Sequence, residues 1–254
     1  MFYAGLVSIT YRQCTPEQII SLCVENRLSA IEWGGDVHVP HGDTEVAVRI
    51  GEMTRAAGPS MPAYGTYYKA GTYGENYRVE FDKMLRTACA LDTPALRLWA
   101  GSKNSEDISA VERDALIREL RDCADMAAVC KKTITFERHN GTLTNRAASA
   151  LAMIREIGRD NVRTHWQPSQ FLTHEENCAG LSLLLPYIDC VHVFAWEGAG
   201  SQRFSLSDHR NRWADYLSIL RGAKQDIHLL LEFTPHNDPA ELPREAGTLL
   251  SWLF

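Results

Sequence analysis

Short apolar runs alternate with longer amphipathic runs along the whole sequence. The short runs are rich in β-branched, leucine and aromatic residues, which is typical of buried strands. Their centres lie about 32 residues apart, close to the roughly 30 residues per unit of a (β/α)8 barrel of about 250 residues. We therefore predict an α/β fold in which residues 1–254 form a single (β/α)8 TIM barrel domain. A doubly wound open sheet, which shows the same alternation, is the alternative. The predicted strands are Ala4–Ile9, Ser29–Trp33, Met61–Tyr67, Ala95–Ala100, Thr133–His139, Val162–Gln167, Cys190–Trp196 and His228–Phe233.

Two of the longer runs carry clear helix signatures. The Thr15 hydroxyl precedes Pro16, which suits an N-cap followed by the first helical position, and Ile19, Ile20 and Cys23 then form an apolar face. A second helix is predicted over Ser105–Val129, where apolar residues recur at mainly helical spacing among charged ones. These apolar residues are Ile108, Val111, Leu116, Leu120, Met126 and Val129.

Composition and charge limit the possible classes of protein. The chain has 254 residues, 45% of them hydrophobic, which excludes disordered and fibrous proteins. No apolar run reaches the roughly 18 residues of a membrane span, and the first ten residues lack the features of a signal peptide, so we expect a cytoplasmic protein that does not bind a membrane. The net charge of −6, without a Lys/Arg cluster, argues against a nucleic-acid partner. The seven cysteines include no C-x-x-C pair and are expected to be reduced.

Polar residues at the carboxyl ends of the last four strands predict a metal site. Glu137, Gln167, His192 and Glu232 lie at or near the ends of strands five to eight, where active sites of barrels are built. Two carboxylates, an amide and an imidazole suit one divalent ion, which we expect to be Mn²⁺, Mg²⁺, Co²⁺ or Zn²⁺. Taken singly, Glu232 also fits an arginine-paired structural carboxylate, His192 a core histidine, and Gln167 a hydrogen bond to substrate.

Residues near these four predict a pocket of the size of a sugar. Period-two alternation puts His139 on the face of Glu137 and His165 on the face of Gln167, while Trp99 follows Arg97 on strand four. The loop between Glu197 and Leu206 carries an arginine, and a glycine-containing segment after strand two carries a histidine. The predicted substrate-binding residues are His38, Trp99, His139, His165 and Arg203.

Several of these segments together give a family resemblance. The segments are Gly5–Thr10, Ile31–His38, Phe136–Glu137 with Gly141–Thr144, and the later strand-end residues. The chain resembles the xylose-isomerase-like TIM-barrel superfamily, particularly its sugar phosphate isomerase/epimerase members, over nearly its whole length. In ketose 3-epimerases of this superfamily, four strand-end residues bind one divalent metal, and two glutamates among them exchange the substrate proton.

The resemblance assigns roles to individual residues of this chain. It implies that Glu137 and Glu232 are the proton-exchanging glutamates, that His192 is the histidine ligand and that Arg203 contacts substrate. Gln167 stands where the epimerases usually have aspartate, and a histidine that they carry shortly after it is absent here.

The function predicted from these residues is that of a metal-dependent isomerase or epimerase. It would act on a sugar, sugar phosphate or related hydroxy-carbonyl compound, with glutamates moving a proton through an enediolate. A non-catalytic sugar- or metabolite-binding barrel is the alternative. An endonuclease-IV-like phosphodiesterase is less favoured, because it needs more metal ligands and a basic groove. The sequence predicts no oligomeric state.

Overall fold

Eight parallel strands close into a barrel in the computed structural model, which describes residues 1–198 and 202–253. The first and last of these strands pair with each other, Phe2 opposite Ile227 through Leu6 opposite Leu231, and this pairing closes the sheet. The barrel strands are β1 (Phe2–Val7), β2 (Ala30–Gly34), β3 (Tyr64–Lys69), β4 (Ala95–Trp99), β5 (Thr133–Glu137), β6 (Val162–Trp166), β7 (Ile188–Val193) and β10 (Ile227–Leu231). Between the last two, β8 (Trp196–Glu197) and β9 (Gln202–Arg203) form a short antiparallel pair.

A helix follows each barrel strand and covers its outer face. The helices are α1 (Pro16–Glu25), α2 (Thr44–Ala57), α3 (Tyr77–Leu91), α4 (Ala110–Val129), α5 (Ala147–Ile157), α6 (His174–Leu184), α7 (Arg210–Leu220) and α8 (Leu242–Leu253). Outward-facing strand residues such as Ile31 and Trp33 are fully buried beneath them. In the described part of the chain, no helix combines the length and the apolar character that crossing a bilayer requires.

The inside of the barrel divides into an apolar part and a polar part. Val7, Ile9, Ala30, Cys190 and Leu230 form a separate buried apolar cluster within the barrel. Nearer the carboxyl ends of the strands, the buried inward positions include the charged and polar residues Glu32, Arg97, Glu137 and His192. Because side chains alternate between the two faces of a strand, these polar residues point toward each other and away from the helices.

The prediction of a TIM barrel is confirmed, and the open-sheet alternative is wrong, because the strands close on themselves. Each of the eight predicted strands overlaps an observed barrel strand, although β7 begins earlier and ends at Val193 rather than Trp196. Residues 199–201, within the loop predicted between Glu197 and Leu206, and residue 254 lie outside the described residues.

The predicted helix over Ser105–Val129 begins later than expected. Its first residue is Ala110, because the Ser109 side chain accepts a hydrogen bond from the Glu112 N–H and Glu112 binds the Ser109 N–H in return. Two of the apolar residues that predicted this helix, Val111 and Val129, do not face the core, since they are 79% and 85% exposed. The predicted start and face of α1 are confirmed: Thr15 caps the helix, and Ile19, Ile20 and Cys23 are buried.

Candidate functional site

Seven polar side chains from five barrel strands and two strand ends form one buried cluster in the barrel. They are Glu32 on β2, Arg97 on β4, Glu137 on β5, His165 on β6, Gln167 after β6, His192 on β7 and Glu232 after β10. None is more than 9% exposed. The cluster lies at the carboxyl ends of the strands, the end at which TIM barrels carry their active sites.

The four residues predicted as metal ligands lie together in this cluster. Gln167 Nε2 donates to Glu137 Oε1 at 3.1 Å, and Gln167 Oε1 lies 3.2 Å from His192 Nδ1. Glu232 Oε2 is 3.5 Å from the same His192 nitrogen. Glu137, His192 and Glu232 each offer a ligand atom within 4.8 Å of the others. Two carboxylates and an imidazole at this separation suit a divalent cation.

Arg97 pairs with two carboxylates inside the barrel. Its Nε donates to Glu32 Oε1 at 2.6 Å, and its Nη1 donates to Glu137 Oε2. Trp99 Nε1 donates to that same Glu137 oxygen at 2.6 Å, so the other oxygen of Glu137 is the one that faces Gln167 and His192. Gly65 makes room for the guanidinium, since a Cβ there would lie 2.6 Å from Arg97 Nη2. The arginine pairing considered for Glu232 is therefore found at Glu137.

Glu32 orients both buried imidazoles and was missed as a functional candidate in the sequence. Its Oε2 lies 3.1 Å from His165 Nε2 and 3.3 Å from His192 Nε2. The second nitrogen of His165 is 2.7 Å from Thr135 Oγ1. The signal available in the sequence was alternation on β2, which turns Glu32 inward between Ile31 and Trp33.

The buried cluster carries more negative than positive charge, which favours a divalent cation. Burial alone would raise the pKa of Glu32, but the nearby Arg97 and His192 charges hold that pKa well below its usual range. Burial would lower the pKa of His192, whereas Glu232 and Glu32 raise it to about 10. A metal ion binds an unprotonated imidazole nitrogen, so a bound cation would replace the extra proton of His192. Three glutamates would then face one guanidinium and the two charges of a divalent ion, which balance them. The donor set therefore fits a divalent metal.

A cavity of about 220 Å³ opens above Glu137, Gln167 and Glu232. Its walls are largely aromatic, and the His139 ring stacks on Trp99 with 4.7 Å between centroids. Tyr67 Oη and Trp196 Nε1 are buried without a hydrogen-bond partner among the described residues, so they offer polar contacts in an aromatic wall. The other lining residues are Ile9, Arg12, Arg97 and Phe233. A larger outer cleft of about 320 Å³, beside Trp213 and Tyr216, contains none of the carboxylates of the cluster.

The predicted substrate-binding residues are divided between this cavity and the core. Trp99 and His139 line the cavity. Arg203 lies at its rim, with its guanidinium 5.4 Å from the centroid of the Trp196 ring. The structure does not bring His38 to the cavity, because its ring nitrogens contact Ser8 Oγ and the Cys14 carbonyl. Nor does His165 line it, because Glu32 and Thr135 hold that ring inside the barrel.

Comparison with known proteins supports the family suggested by the sequence. Among solved structures, the chain is similar to the probable 3-DHS dehydratase AsbF of Bacillus anthracis, at 19% identity over 98% of this chain and 99% of that chain, with a TM-score of 0.84. It is also similar to the IolI protein with a binding zinc atom, at 15% identity over 99% and 98%, with a TM-score of 0.78. A D-psicose 3-epimerase, studied with D-fructose, gives 14% identity over 98% and 97% and a TM-score of 0.72.

These identities are low, so the structural likeness establishes the fold alone. A search among curated proteins gives no match. The model of the family described as "Xylose isomerase-like TIM barrel" matches residues 21–253. This match covers most of the sequence, and the chain therefore belongs to the xylose isomerase-like TIM-barrel family.

Proposed function

We propose that this protein is a metal-dependent isomerase or epimerase that moves a proton on the carbon beside a carbonyl group. Its substrate would be a sugar, a sugar phosphate or a related hydroxy-carbonyl compound. The observation that carries the proposal is the convergence of Glu137, His192 and Glu232 below a cavity of about 220 Å³. The similar IolI protein binds a zinc atom, and the similar D-psicose 3-epimerase was crystallised in the presence of a ketose, which agrees with this chemistry.

Glu137, His192 and Glu232 would hold the metal, with Gln167 as the fourth group. When bound, a divalent ion supplies Lewis acidity that stabilises negative charge on the oxygen of an enolising carbonyl compound. Hydrogen bonds from Trp99 and Arg97 fix one oxygen of Glu137, so the remaining oxygen has a defined direction. Glu32 does the same for His192 by contacting its Nε2.

Proton transfer would be shared between the two glutamates of the set. One carboxylate removes the proton next to the carbonyl, which gives an enediolate, and the other returns a proton to the opposite face or to the neighbouring carbon. Glu232 suits this role because its only cationic partner within 4 Å, among the described residues, is His192. The aromatic rings of Trp99, Trp196 and Phe233 around the cavity would limit the access of water to the enediolate.

Metal analysis and isotope exchange test this proposal together. Protein purified without chelator should contain about one divalent ion per chain, and it should incorporate solvent deuterium into a ketose or ketose phosphate. Glu137→Gln and Glu232→Gln should each slow exchange by at least about 10²-fold. Glu156→Gln is the matched control, because Glu156 pairs with Arg113 on the outer surface. Absence of the metal, or exchange that survives in both variants, would reject the assignment.

A dehydratase is the second candidate. One structure to which the fold is similar, at a TM-score of 0.84, is described as a probable 3-DHS dehydratase. Abstraction of a proton beside a carbonyl is also the first step of eliminating a β-hydroxyl group as water, so the same glutamates would serve. Mass spectrometry of the product separates the candidates, since an isomer keeps the mass of the substrate and a dehydration product loses one water. Ligand binding without exchange or mass loss would instead favour the non-catalytic barrel.

A further inference from the structure

Two arginine side chains contact one aromatic ring at the rim of the cavity. The Arg203 guanidinium carbon lies 4.7 Å from the centroid of Phe233, and that of Arg12 lies 5.7 Å from the same centroid. Arg12, Phe233 and the proposed catalytic Glu232 line the same cavity, and Glu232 is one of the charges that act on Arg203. The ring holds two cations beside the place where a substrate would react.

The backbone of Phe233 is in an unusual conformation that fixes this arrangement. Its φ angle is +48°, in the left-handed region that bulky side chains rarely adopt. The Phe233 N–H donates to Thr10 Oγ1 at 3.0 Å, which ties the turn to the segment that carries Arg12. Strained positions of this kind are found at ligand-binding sites, where the surrounding structure compensates for them.

Both arginines keep hydrogen-bond donors that the protein does not use. Among the described residues, the hydrogen bonds of the Arg203 side chain are limited to one, from Nη1 to Asn237 Oδ1, and no carboxylate lies within ion-pair distance of it. Arg12 Nε pairs with Asp36 at 3.0 Å and its Nη1 donates to the Ile9 carbonyl, which leaves Nη2 without a partner in the described chain. Asp36 neutralises the guanidinium charge of Arg12, whereas no carboxylate of the described residues lies within ion-pair distance of Arg203.

The positive charges of Arg12 and Arg203 also repel each other. Burial lowers the pKa of Arg203, the positive charge of Arg12 acts in the same direction, and Glu232 opposes them. A metal at Glu232 would remove much of that compensation. A negatively charged group between the guanidiniums would relieve the repulsion and accept their free N–H groups, since planar guanidinium donors match carboxylate and phosphate oxygens.

We propose that Arg12 and Arg203, supported by Phe233, form an anion-binding subsite that selects substrates carrying a phosphate or a carboxylate group. This inference rests on the proposed function, because it names the substrate class of the same cavity. The aromatic wall and the unpartnered Tyr67 and Trp196 groups would contact the polyol part, whereas the two arginines would bind the acidic end. Neutral sugars have no acidic group to bind the guanidinium groups of Arg12 and Arg203.

Calorimetric titration with matched probes tests the subsite. The probes are D-fructose 6-phosphate, a hexulosonate such as 5-keto-D-gluconate, neutral D-fructose and inorganic phosphate, each added to the Mn²⁺-loaded protein. At least one acidic sugar should bind about tenfold or more tightly than D-fructose. Hydrogen bonds between charged groups contribute enough binding free energy for a difference of this size. The preferred probe distinguishes phosphate from carboxylate. The preference should weaken at high salt, and inorganic phosphate should compete if phosphate is the preferred group.

Variants then assign the preference to the arginines. Arg203→Gln should weaken binding of the preferred acidic probe far more than binding of D-fructose and so remove most of the preference. Arg203→Lys should keep part of it, and Arg12→Gln should have a smaller effect because Asp36 shares that charge. Arg86→Met is the matched control, since Arg86 is exposed and pairs with Asp82 on α3. Equal affinity for acidic and neutral probes, undetectable binding of every acidic probe, or an unchanged preference in Arg203→Gln would overturn the subsite.

The outcome for the subsite is separate from the outcome for catalysis. Deuterium exchange into neutral ketoses without any preference for acidic ones would leave the proposed function standing and remove the subsite. Tight binding of acidic sugars without exchange would keep the subsite and reject the isomerase or epimerase activity.

Discussion

Gln167 is a neutral group among charged ones, and its contacts define two roles for it. Its Nε2 donates to Glu137 Oε1 at 3.1 Å and to the Arg138 carbonyl at 2.9 Å. Its Oε1 faces His192 at 3.2 Å. The side chain therefore has two possible roles. It either positions the proposed ligands Glu137 and His192 through hydrogen bonds, or it turns its oxygen to the metal and is itself a ligand.

Replacing Gln167 with glutamate distinguishes these roles. The variant would bring a second carboxylate to within hydrogen-bond distance of Glu137 and lose two donated hydrogen bonds, so the metal-free protein should be less stable. Mn²⁺ binding should become stronger by about one to two kcal/mol, because the added charge faces the cation. Calorimetry with Mn²⁺ on both proteins, with Gln170→Glu as control, measures the change. An unchanged affinity for Mn²⁺ would show that position 167 is not a ligand.

Sequence alternation predicted some residues of the site and not others, for a physical reason. Glu137, Gln167, His192 and Glu232 were found because each lies at or near the carboxyl end of a predicted strand, where barrels build their active sites. Glu32 has the same kind of position, but its importance depends on Arg97, which is 65 residues away in the sequence. Arg12 was missed because it follows a short 3₁₀ turn, Ser8–Tyr11, whose direction only the folded chain reveals.

At the level of secondary structure elements, Arg97 connects three strands of the barrel. The guanidinium on β4 bonds Glu32 on β2 and Glu137 on β5, and all three side chains are almost fully buried. Buried charges of this kind are stable only while they remain paired. The same arrangement leaves the other oxygen of Glu137 for the proposed metal, so both the pairing between strands and the proposed chemistry depend on Arg97.

Removing the Arg97 charge should therefore destabilise the barrel. Arg97→Met leaves the carboxylates of Glu32 and Glu137 without their guanidinium, and we expect the free energy of unfolding in urea to fall by about 3 kcal/mol or more. Arg49→Met should change it by no more than about 0.5 kcal/mol, because the Arg49–Glu17 pair is half exposed. The double variant Arg97→Met, Glu32→Gln should lose less free energy of unfolding than the sum of the losses in the two single variants, since the substituted groups are in contact. Equal effects of Arg97→Met and Arg49→Met would contradict the pairing.

The elements themselves were predictable because long, regular patterns determine them. The barrel strands were recognised from their apolar, β-branched and aromatic residues, and the spacing of their centres gave the closed architecture. The ends were less accurate: α4 begins at Ala110 because reciprocal hydrogen bonds between Ser109 and Glu112 fix its start. The β8–β9 pair has two residues in each strand, which is too short for any periodicity.

At the scale of the whole molecule, the barrel combines an apolar cluster that stabilises it with a polar cluster that is short of positive charge. Val7, Ala30 and Leu230 belong to the first, and they are fully buried. The second holds three carboxylates against one guanidinium and the protonated His192, which leaves it one negative charge. The chain as a whole also carries a formal charge of −6. Folding therefore concentrates negative charge at one end of the barrel, and a bound cation would offset the electrostatic cost.

This imbalance predicts that divalent metal stabilises the entire fold. An ion that binds the folded chain alone adds about 2.7 kcal/mol at a concentration of 100 times its Kd, which for a chain of this size raises Tm by roughly 5–10 °C. Chelator-treated protein should therefore melt at a higher temperature as Mn²⁺ is added, with Tm rising in proportion to the logarithm of the Mn²⁺ concentration above Kd.

The double variant Glu137→Gln, Glu232→Gln should not respond to Mn²⁺, because it keeps only His192 of the three converging ligands. Scanning calorimetry with potassium chloride at equal ionic strength controls for screening of the surface charge. An equal rise in the wild type and the double variant would mean that Mn²⁺ acts elsewhere on the molecule.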